Sequence, residues 1–375
     1  MKIEVLKENL KSGLIISERI VGKNISLPIL HNVLITTENN FLSLISTDLE
    51  VTIKLWMLVK IINKGSVVVP AKFLSSFITS LPNEKITMEQ RDQSLYIECG
   101  NVKTKIQGHN LEDFPIIPEF KNTETLEVDS QALYGAISQV VDIASQNQGR
   151  PEISGVYFSF LKNSIKVVAT DSFRLAEKNI HLSEPIKKEH SFILPQKSAR
   201  EIMNILEGRG GAVIIYFSPN QVLFEVLMKE VGHPEVQVTS RLIDGEYPNY
   251  QDIIPSKFKT HITVSKDQFL NQIKTASLFS GKVNEVRISL STEKQDLEIS
   301  SKSQDVGEHT SLLKAKIEGE AIQISFNYKF LMDALLHMKS SEVILEISKE
   351  DGPCLLRPLG DDSYICVVMP IKSLQ

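Results

Sequence analysis

The sequence is poor in cysteine, and its cysteines form no recognisable pattern. The chain of 375 residues has three cysteines, Cys99, Cys354 and Cys366, which are unevenly spaced and odd in number. Disulfide frameworks and structural zinc sites need cysteines in pairs at characteristic spacings. We therefore expect neither feature, and we interpret all three cysteines as small buried hydrophobic residues.

Long apolar runs and a basic excess are also missing. No run approaches the roughly 18 residues that a membrane-spanning helix needs, and the opening segment, MKIEVLKENLKSG, contains acidic residues too early for a signal peptide. We expect a cytoplasmic protein with no membrane partner. The net charge of -5 argues against a protein that coats nucleic acid by bulk electrostatic attraction, so any nucleic-acid role must be local or topological.

The usual catalytic and cofactor motifs are not found. The eight histidines show no metal-ligand spacing, and no serine lies in a nucleophile elbow. The glycine cluster EGRGG at 207–211 follows a predicted helix and lacks the Gly-Lys-Ser/Thr ending of a phosphate loop, so we interpret it as a helix C-cap and turn. The sequence favours a protein that is not an enzyme and has no metal or other cofactor.

Two aspartates keep an enzymatic alternative open. Asp48 in STDLE and Asp171 in ATDSF each follow a predicted strand and a threonine, and paired carboxylates can hold a metal or transfer protons. A metal-dependent phosphohydrolase that uses Asp48, Asp142 and Asp171 is therefore the alternative. We favour the simpler interpretation, in which each Thr-Asp pair satisfies the N–H groups of its own turn.

What the chain does contain is a threefold repeat. Hydrophobic residues make up 42% and charged residues 23%, as in globular proteins, and the length exceeds that of one ordinary domain. Strand-then-helix segments with matching apolar positions recur as IEVLKENLKSGL from Ile3, LEVDSQALYGAI from Leu126 and ITVSKDQFLNQI from Ile262. A second helix start recurs as VPAKFL, LPQKSA and FNYKFL from residues 69, 194 and 326. Such regular self-similarity predicts repeated structural units.

Proline-containing segments separate the repeats. DFPIIPEF and EYPNYQDIIP have the composition of linkers, which predicts domains at residues 1–123, 124–256 and 257–375. The predicted helices are 7–20, 71–81, 130–146, 196–207, 266–280 and 329–339, and short alternating runs predict about eight strands in each domain. We expect an α+β fold of three repeated domains, each with two helices packed on antiparallel sheets.

These segments resemble, in order and spacing, the bacterial β sliding clamp family, the processivity subunit of the replicative DNA polymerase III holoenzyme. The resemblance is carried by LPIL at 27–30, TDLE at 47–50, VPA at 69–71, DFP at 113–115, GRPEISGV at 149–156, ATDSFRLA at 169–176, SRLIDGEYPNY at 240–250 and VVMPI at 367–371. It implies the DNA clamp fold and a head-to-tail homodimer that forms a ring around double-stranded DNA without sequence preference. A monomeric repeat scaffold that binds peptides but not DNA is a further alternative.

The resemblance also implies partners that bind through short peptide motifs: the replicative polymerase subunit, the clamp loader and repair proteins. By position, the groove that holds these peptides consists of Ile153, Thr170, Ser172, Phe173, Arg174, Leu175, Pro248, Ile253, Val283, Asn327, Phe330, Val367, Val368, Met369, Pro370, Ile371 and Lys372.

Two further sets of residues follow from the resemblance. The predicted helices have a small basic excess, and the residues expected to face DNA on these helices and in nearby loops are Lys7, Lys11, Lys23, Asn24, Lys72, Arg150, Lys197, Arg200, Lys266 and Lys329. The residues expected at the dimer interface, where an edge strand of the first repeat meets an acidic segment of the third, are Lys103, Lys105, Ile106, Leu278, Phe279, Asp305 and Glu308.

Overall fold

The structure is a computed structural model that describes residues 1–22, 27–117, 120, 124–147 and 149–372. The α-helices within these residues are Lys7–Ile20 (α1), Ala71–Ser80 (α2), Ser130–Val140 (α3), Gln196–Leu206 (α4), Lys266–Ser277 (α5) and Tyr328–Leu336 (α6). In the described part of the chain, no helix combines the length and the apolar character that a membrane crossing requires.

The strands follow one another in short runs between these helices. In the first third of the chain they are Lys2–Leu6 (β1), Asn32–Glu38 (β2), Phe41–Thr47 (β3), Val51–Leu58 (β4), Lys60–Asn63 (β5), Ser66–Pro70 (β6), Lys85–Arg91 (β7), Ser94–Cys99 (β8) and Val102–Gln107 (β9). In the middle third they are Thr125–Asp129 (β10), Gly155–Leu161 (β11), Ser164–Thr170 (β12), Arg174–His181 (β13), His190–Pro195 (β14), Ala212–Phe217 (β15), Gln221–Leu227 (β16) and Pro234–Arg241 (β17). In the last third they are Thr260–Ser265 (β18), Glu285–Ser291 (β19), Asp296–Ser303 (β20), Gly307–Lys314 (β21), Lys316–Gly319 (β22), Gln323–Asn327 (β23), Glu342–Ile347 (β24), Cys354–Pro358 (β25) and Tyr364–Val368 (β26).

The chain divides into two compact units. The first consists of Met1–Tyr134 and Glu201–Leu242, and the second of Gly135–Arg200 and Ile243–Gln375. This division differs from the predicted domain boundaries, and Thr123, at the first of them, lies outside the described residues. The boundaries at 123 and 256 therefore remain a prediction.

The first unit contains two antiparallel sheets. Their strand orders are β10-β15-β16-β17-β4-β3-β2-β6 and β5-β1-β7-β8-β9. Helix α1 contacts α2, β3 and β4 through a face that includes Leu10 and Leu14, both fully buried. A Cβ at Gly13 would lie 2.5 Å from Met57 Cε, the end of a flexible side chain in β4, so α1 passes close to this strand at Gly13.

The second unit also contains two antiparallel sheets. Their orders are β14-β11-β12-β13-β26-β25-β24-β18-β22 and β21-β20-β19-β23. Helix α5 contacts α6, β20 and β21, and its apolar positions Phe269 and Ile273 are fully buried. As predicted, helices cover antiparallel sheets in both units, because each helix buries one apolar face.

Successive repeats are joined in the same way in the two units. In the first unit β4 pairs with β17, so that Val51 lies opposite Ser240, and Arg241 N–H donates to Glu50 O at 2.9 Å. In the second unit β13 pairs with β26, and Arg174 lies opposite Val368. The repeat is thus reproduced in backbone pairing as well as in sequence.

Two smaller predictions are also confirmed. All three cysteines are free and buried. Helix α4 ends before Gly208, whose φ of 68° is the left-handed conformation that glycine adopts at a helix C-cap.

Candidate functional site

The segment ATDSFRLA forms a tight turn between β12 and β13. Thr170 Oγ1 donates to Arg174 O at 2.7 Å, and Asp171 Oδ1 accepts from the N–H groups of Phe173 and Arg174, both at 2.9 Å. Between them, Ser172 has a φ of 77°. The Thr-Asp pair therefore satisfies the backbone donors of its own turn, as the simpler interpretation predicted.

The first repeat contains a copy of this turn. Thr47 Oγ1 donates to Val51 O at 3.0 Å, and Asp48 Oδ1 accepts from Val51 N–H at 2.7 Å. Leu49 has the same φ, 77°, as its counterpart Ser172. Each of the two aspartates thus contributes an oxygen to the geometry of its own turn.

The third aspartate of the enzymatic alternative lies in a different setting. Asp142 forms ion pairs with Arg200 at 2.6 Å and His337 at 3.5 Å. Among the residues that the structure describes, no group of three or more His, Cys, Asp or Glu side chains is placed to hold a metal ion. The geometry thus gives no support to a metal-dependent phosphohydrolase.

The turn at 170–174 presents apolar side chains to solvent. Phe173 is 62% exposed and Met369, which follows β26, is 37% exposed. Met369 N–H donates to Phe173 O at 2.9 Å, and the Phe173 ring stacks with that of Phe330 in α6 at a centroid distance of 6.4 Å. Three elements far apart in sequence therefore meet at one apolar surface, which we call the groove.

Arg174 forms the polar wall of the groove. Its Nε donates to Asp171 Oδ2 at 3.1 Å, and its Nη1 donates to Asp333 Oδ2. Its Cζ lies 4.7 Å from the centroid of the Phe330 ring. Burial lowers the pKa of Arg174, but the hydrogen bond to Asp333 and the charge of Asp171 outweigh this effect, so the pKa lies above its ordinary value.

An aromatic and aliphatic cluster supports the groove from below. Leu175, Tyr250 and Val367 are buried together, and the Tyr157 and Tyr247 rings stack at a centroid distance of 4.7 Å. Burial raises the pKa of Tyr247 and Tyr250 well above the ordinary tyrosine value, so both hydroxyls stay neutral. The floor is therefore a packed apolar layer, and at its edge the Tyr250 hydroxyl donates to Glu177 Oε2.

The predicted groove residues divide by exposure. The exposed ones, whose side chains are accessible to a ligand, are Ser172, Phe173, Ile253, Val283, Met369 and Lys372. The partly buried ones are Arg174, Pro248, Asn327, Phe330, Pro370 and Ile371. The buried ones are Ile153, Thr170, Leu175, Val367 and Val368. Core packing covers the side chains of this last group, so they would form the floor of the groove, and their part in peptide binding stays a prediction.

The structure places Arg150 at the groove, where the sequence analysis expected a residue facing DNA. Its Nη1 donates to Ser172 Oγ at 3.0 Å, and its Nε pairs with Glu152 at 3.2 Å. Arg150 thus lies beside the groove turn with an exposed side chain, and its expected role toward DNA stays a prediction. The sequence analysis also missed Asp333, although its position three residues after Phe330 on one helix face was a usable signal.

The predicted DNA-facing residues differ in how accessible their side chains are. Lys7 is wrong as a DNA-facing residue, because its side chain is buried and its Nζ donates to Leu81 O. Lys266 donates to Met338 O at 3.1 Å, and Arg200 pairs with Asp142, so both are partly engaged within the protein. Lys11 is partly buried, and Lys72, Lys197 and Lys329 are exposed. Lys23 and Asn24 lie outside the described residues.

The predicted interface residues lie at two sheet edges. Strand β9 is the last strand of the five-stranded sheet, which confirms the expected edge strand, and it carries Lys103 and Lys105. The side chain of Ile106 is buried within the unit, and the place of this residue at the interface stays a prediction.

Strand β21, which carries Glu308, is the last strand of the four-stranded sheet. Asp305 is exposed in the turn before it. Leu278 is 71% exposed, whereas the Phe279 ring stacks on His309 at a centroid distance of 5.5 Å.

Family models for the DNA polymerase III beta subunit match the chain in three consecutive segments. The model of the N-terminal domain matches residues 1–118, that of the central domain 127–249, and that of the C-terminal domain 251–372. The beta sliding clamp of Bacillus subtilis is 28% identical over 385 residues, with 100% of both sequences covered. That of Staphylococcus aureus is 28% identical over 363 residues, with 94% of each sequence covered.

Solved structures of sliding clamps have the same fold. The crystal structure of the Bacillus subtilis DNA polymerase sliding clamp superposes with a TM-score of 0.93 at 28% identity and covers 100% of this chain and 99% of its own. The DNA polymerase III beta subunit of Thermotoga maritima superposes with a TM-score of 0.91 at 26% identity, with 99% of both chains covered. The similarity therefore extends over the full length of each protein.

Proposed function

Because the chain belongs to the DNA polymerase III beta subunit family of sliding clamps, we propose that it forms a homodimeric ring around duplex DNA and tethers replication proteins to it. Three clamp domains, at residues 1–123, 124–256 and 257–375, would form each half of the ring. Persistence on DNA would then come from encirclement, which suits a chain with a net charge of -5 because a strong phosphate grip would oppose sliding.

Client proteins would bind in the groove through short peptides. The observation that carries this proposal is the exposed Phe173 and Met369 beside the fixed guanidinium of Arg174. Isolated apolar surface next to a few polar groups is typical of ligand sites. The replicative polymerase subunit, the clamp loader and repair proteins are the proposed clients, and the clamp itself needs no chemical step.

The two sheet edges supply complementary charges for the proposed head-to-tail dimer. Lys103 and Lys105 lie on β9, Asp305 lies in the turn before β21, and Glu308 lies near the start of β21. Pairing of such edges between two copies would bury unpaired strand groups and match opposite charges. For DNA, the exposed Lys72, Lys197 and Lys329 on helices remain the proposed contacts.

Peptide binding tests the groove directly. The probe is a fluorescein-labelled peptide made of the last fifteen or so residues of the replicative polymerase from the same organism, and its binding is followed by fluorescence anisotropy. The double substitution Met369→Ala with Arg174→Ala removes an apolar and a charged contact, so we expect affinity to fall by more than about tenfold.

The matched control is Leu49→Ala, which alters the equivalent turn of the first repeat and should bind like the unchanged protein. Light scattering should show dimers for all variants. Unchanged affinity in the double variant, or a loss of binding that merely accompanies a loss of dimer, would argue against the groove.

A further inference from the structure

Asp333 lies directly behind the groove. It is in α6, three residues after Phe330, and its Oδ2 accepts from Arg174 Nη1 across a separation of 159 residues. Its side chain is 38% exposed, whereas that of Arg174 is 11% exposed. Asp333 therefore lies close enough to the surface to shape the groove but contacts it through Arg174.

Arg174 is held from three sides. Asp171 accepts a hydrogen bond from Nε, Asp333 accepts one from Nη1, and the Phe330 ring lies under the guanidinium. Within the described part of the chain, Nη2 is the terminal nitrogen that these carboxylates leave available for a ligand. A guanidinium fixed in this way presents the two N–H groups of Nη2 in defined directions.

The layer below explains why Arg174 needs both carboxylates. Tyr364 and Cys366 are fully buried in β26, the strand that pairs with the strand of Arg174. Burial raises the pKa of Cys366 to about 12, so the thiol stays neutral. Neither Tyr364 nor Cys366 offers a charge to the guanidinium, and the two aspartates supply the hydrogen bonds that this largely buried group requires.

We propose that Asp333 is a positioning residue of the groove: by holding Nη1, it fixes Arg174 across Phe330 so that Nη2 donates to an oxygen of the bound peptide. This inference rests on the proposed client-peptide function. The charges of Arg174, Asp171 and Asp333 sum to -1. This net negative charge favours a neutral acceptor, such as a main-chain or amide carbonyl, over a carboxylate. Fixing Arg174 in advance also lowers the entropic cost of binding.

A double-mutant cycle tests whether Asp333 acts through Arg174. The same polymerase peptide is titrated against the unchanged protein, Asp333→Asn, Arg174→Met, and the variant that combines both substitutions. We expect Asp333→Asn to weaken binding by about five- to tenfold alone and by less than about twofold when Arg174 is already Met, because the coupling between neighbouring residues is then gone. A merely structural role of Asp333 would weaken binding equally in both backgrounds.

The control is Asp362→Asn, which breaks another arginine–aspartate pair in the same unit, 3.0 Å from Arg357 Nη1, and should leave affinity unchanged. Circular dichroism and light scattering check folding and dimerisation of each variant. If the unchanged protein binds the peptide but Asp333→Asn has no effect, or has the same effect in both backgrounds, the inference is overturned. If the unchanged protein does not bind the peptide, the proposed function fails, and this inference fails with it.

Discussion

The single tryptophan of the sequence lies in a polar cluster of the first unit. Glu38 Oε2 accepts from Trp56 Nε1 at 2.9 Å, and Glu38 Oε1 accepts from Ser43 and pairs with Lys54 at 2.9 Å. Burial raises the pKa of Glu38, but the hydrogen bonds from Trp56 and Lys54 outweigh this effect, so the net shift is downward. The indole of Trp56 is thus in direct contact with this carboxyl.

We expect acid to release this cluster. Because the folded-state pKa of Glu38 is depressed, its contribution to stability is present above the unfolded-state pKa, about 4.3, and is lost as the pH falls through the lower folded-state value. Trp56 fluorescence during guanidinium unfolding, measured at a series of pH values, should therefore show stability declining in this acidic range. Glu38→Gln should be less stable at neutral pH and show a smaller decline. An equal decline in both proteins would exclude Glu38 as its source.

Individual side-chain partners were the least predictable feature. Lys7 looked like an exposed helix lysine in the sequence, yet its ammonium bonds to the carbonyl of Leu81, 74 residues away. Arg150 contacts Ser172, 22 residues away. Such partners depend on how distant elements pack, which local spacing does not encode.

The central residue of the Thr-Asp turn is held in a left-handed backbone conformation that most side chains disfavour. Its central position has a φ of 77° in both copies, occupied by Leu49 in the first and Ser172 in the second. A left-handed conformation costs an ordinary side chain about 1–2 kcal/mol, whereas glycine adopts it without this cost. Leu49 is 43% exposed, so removal of its side chain loses only limited packing.

Substitution of Leu49 by glycine should therefore stabilise the protein. We expect Leu49→Gly to raise the free energy of unfolding by about 0.5–1 kcal/mol, after the greater flexibility of glycine in the unfolded chain is subtracted. Chemical denaturation of both proteins measures this difference. The control is Asn39→Gly, at another residue with positive φ, 51°. Because asparagine already tolerates this conformation, this substitution should raise the free energy of unfolding less. A decrease in stability for Leu49→Gly would mean that its packing outweighs the strain.

Helices were predicted well because their signal is local. Apolar spacing and the strand before each helix placed the starts of α1, α2 and α5 correctly, at Lys7, Ala71 and Lys266. Helix α3 was predicted to extend to 146 but ends at Val140 and continues as a short 3-10 turn over Val141–Ile143. The apolar pattern continues through this turn, so periodicity alone could not show the change.

The two Thr-Asp turns share their backbone hydrogen bonds but differ in the side chains at their surface. In the first unit Glu50 O accepts from Arg241 N–H, and in the second Phe173 O accepts from Met369 N–H, both at 2.9 Å. The equivalent surface thus carries an acid and a base in one case and two apolar side chains in the other. We therefore expect one client groove per chain, at the second of these turns.

The proposed ring of two chains predicts a behaviour on DNA that the sequence of one chain does not show. A ring that holds DNA by encirclement should remain on a closed circle and slide off a free end, whereas a protein that adheres to phosphates leaves both at similar, salt-dependent rates. The chain is acidic overall, with a net charge of -5, so adhesion should be weak at moderate salt.

Retention on circular DNA therefore tests the proposed ring. After loading on nicked circular DNA with the clamp loader and ATP, the protein should co-elute with the circles in gel filtration at about 150 mM salt and be lost when a restriction enzyme linearises them.

Leu278→Asp places a charge at the proposed interface, where the unchanged leucine is 71% exposed. This variant should be monomeric by light scattering and should not be retained. The control Leu359→Asp, at another exposed apolar residue of the same unit, lies outside the proposed interface and should remain dimeric and be retained. Equal retention on linear and circular DNA, or a monomeric unchanged protein at micromolar concentration, would contradict encirclement, because neither is compatible with a closed ring threaded by the duplex.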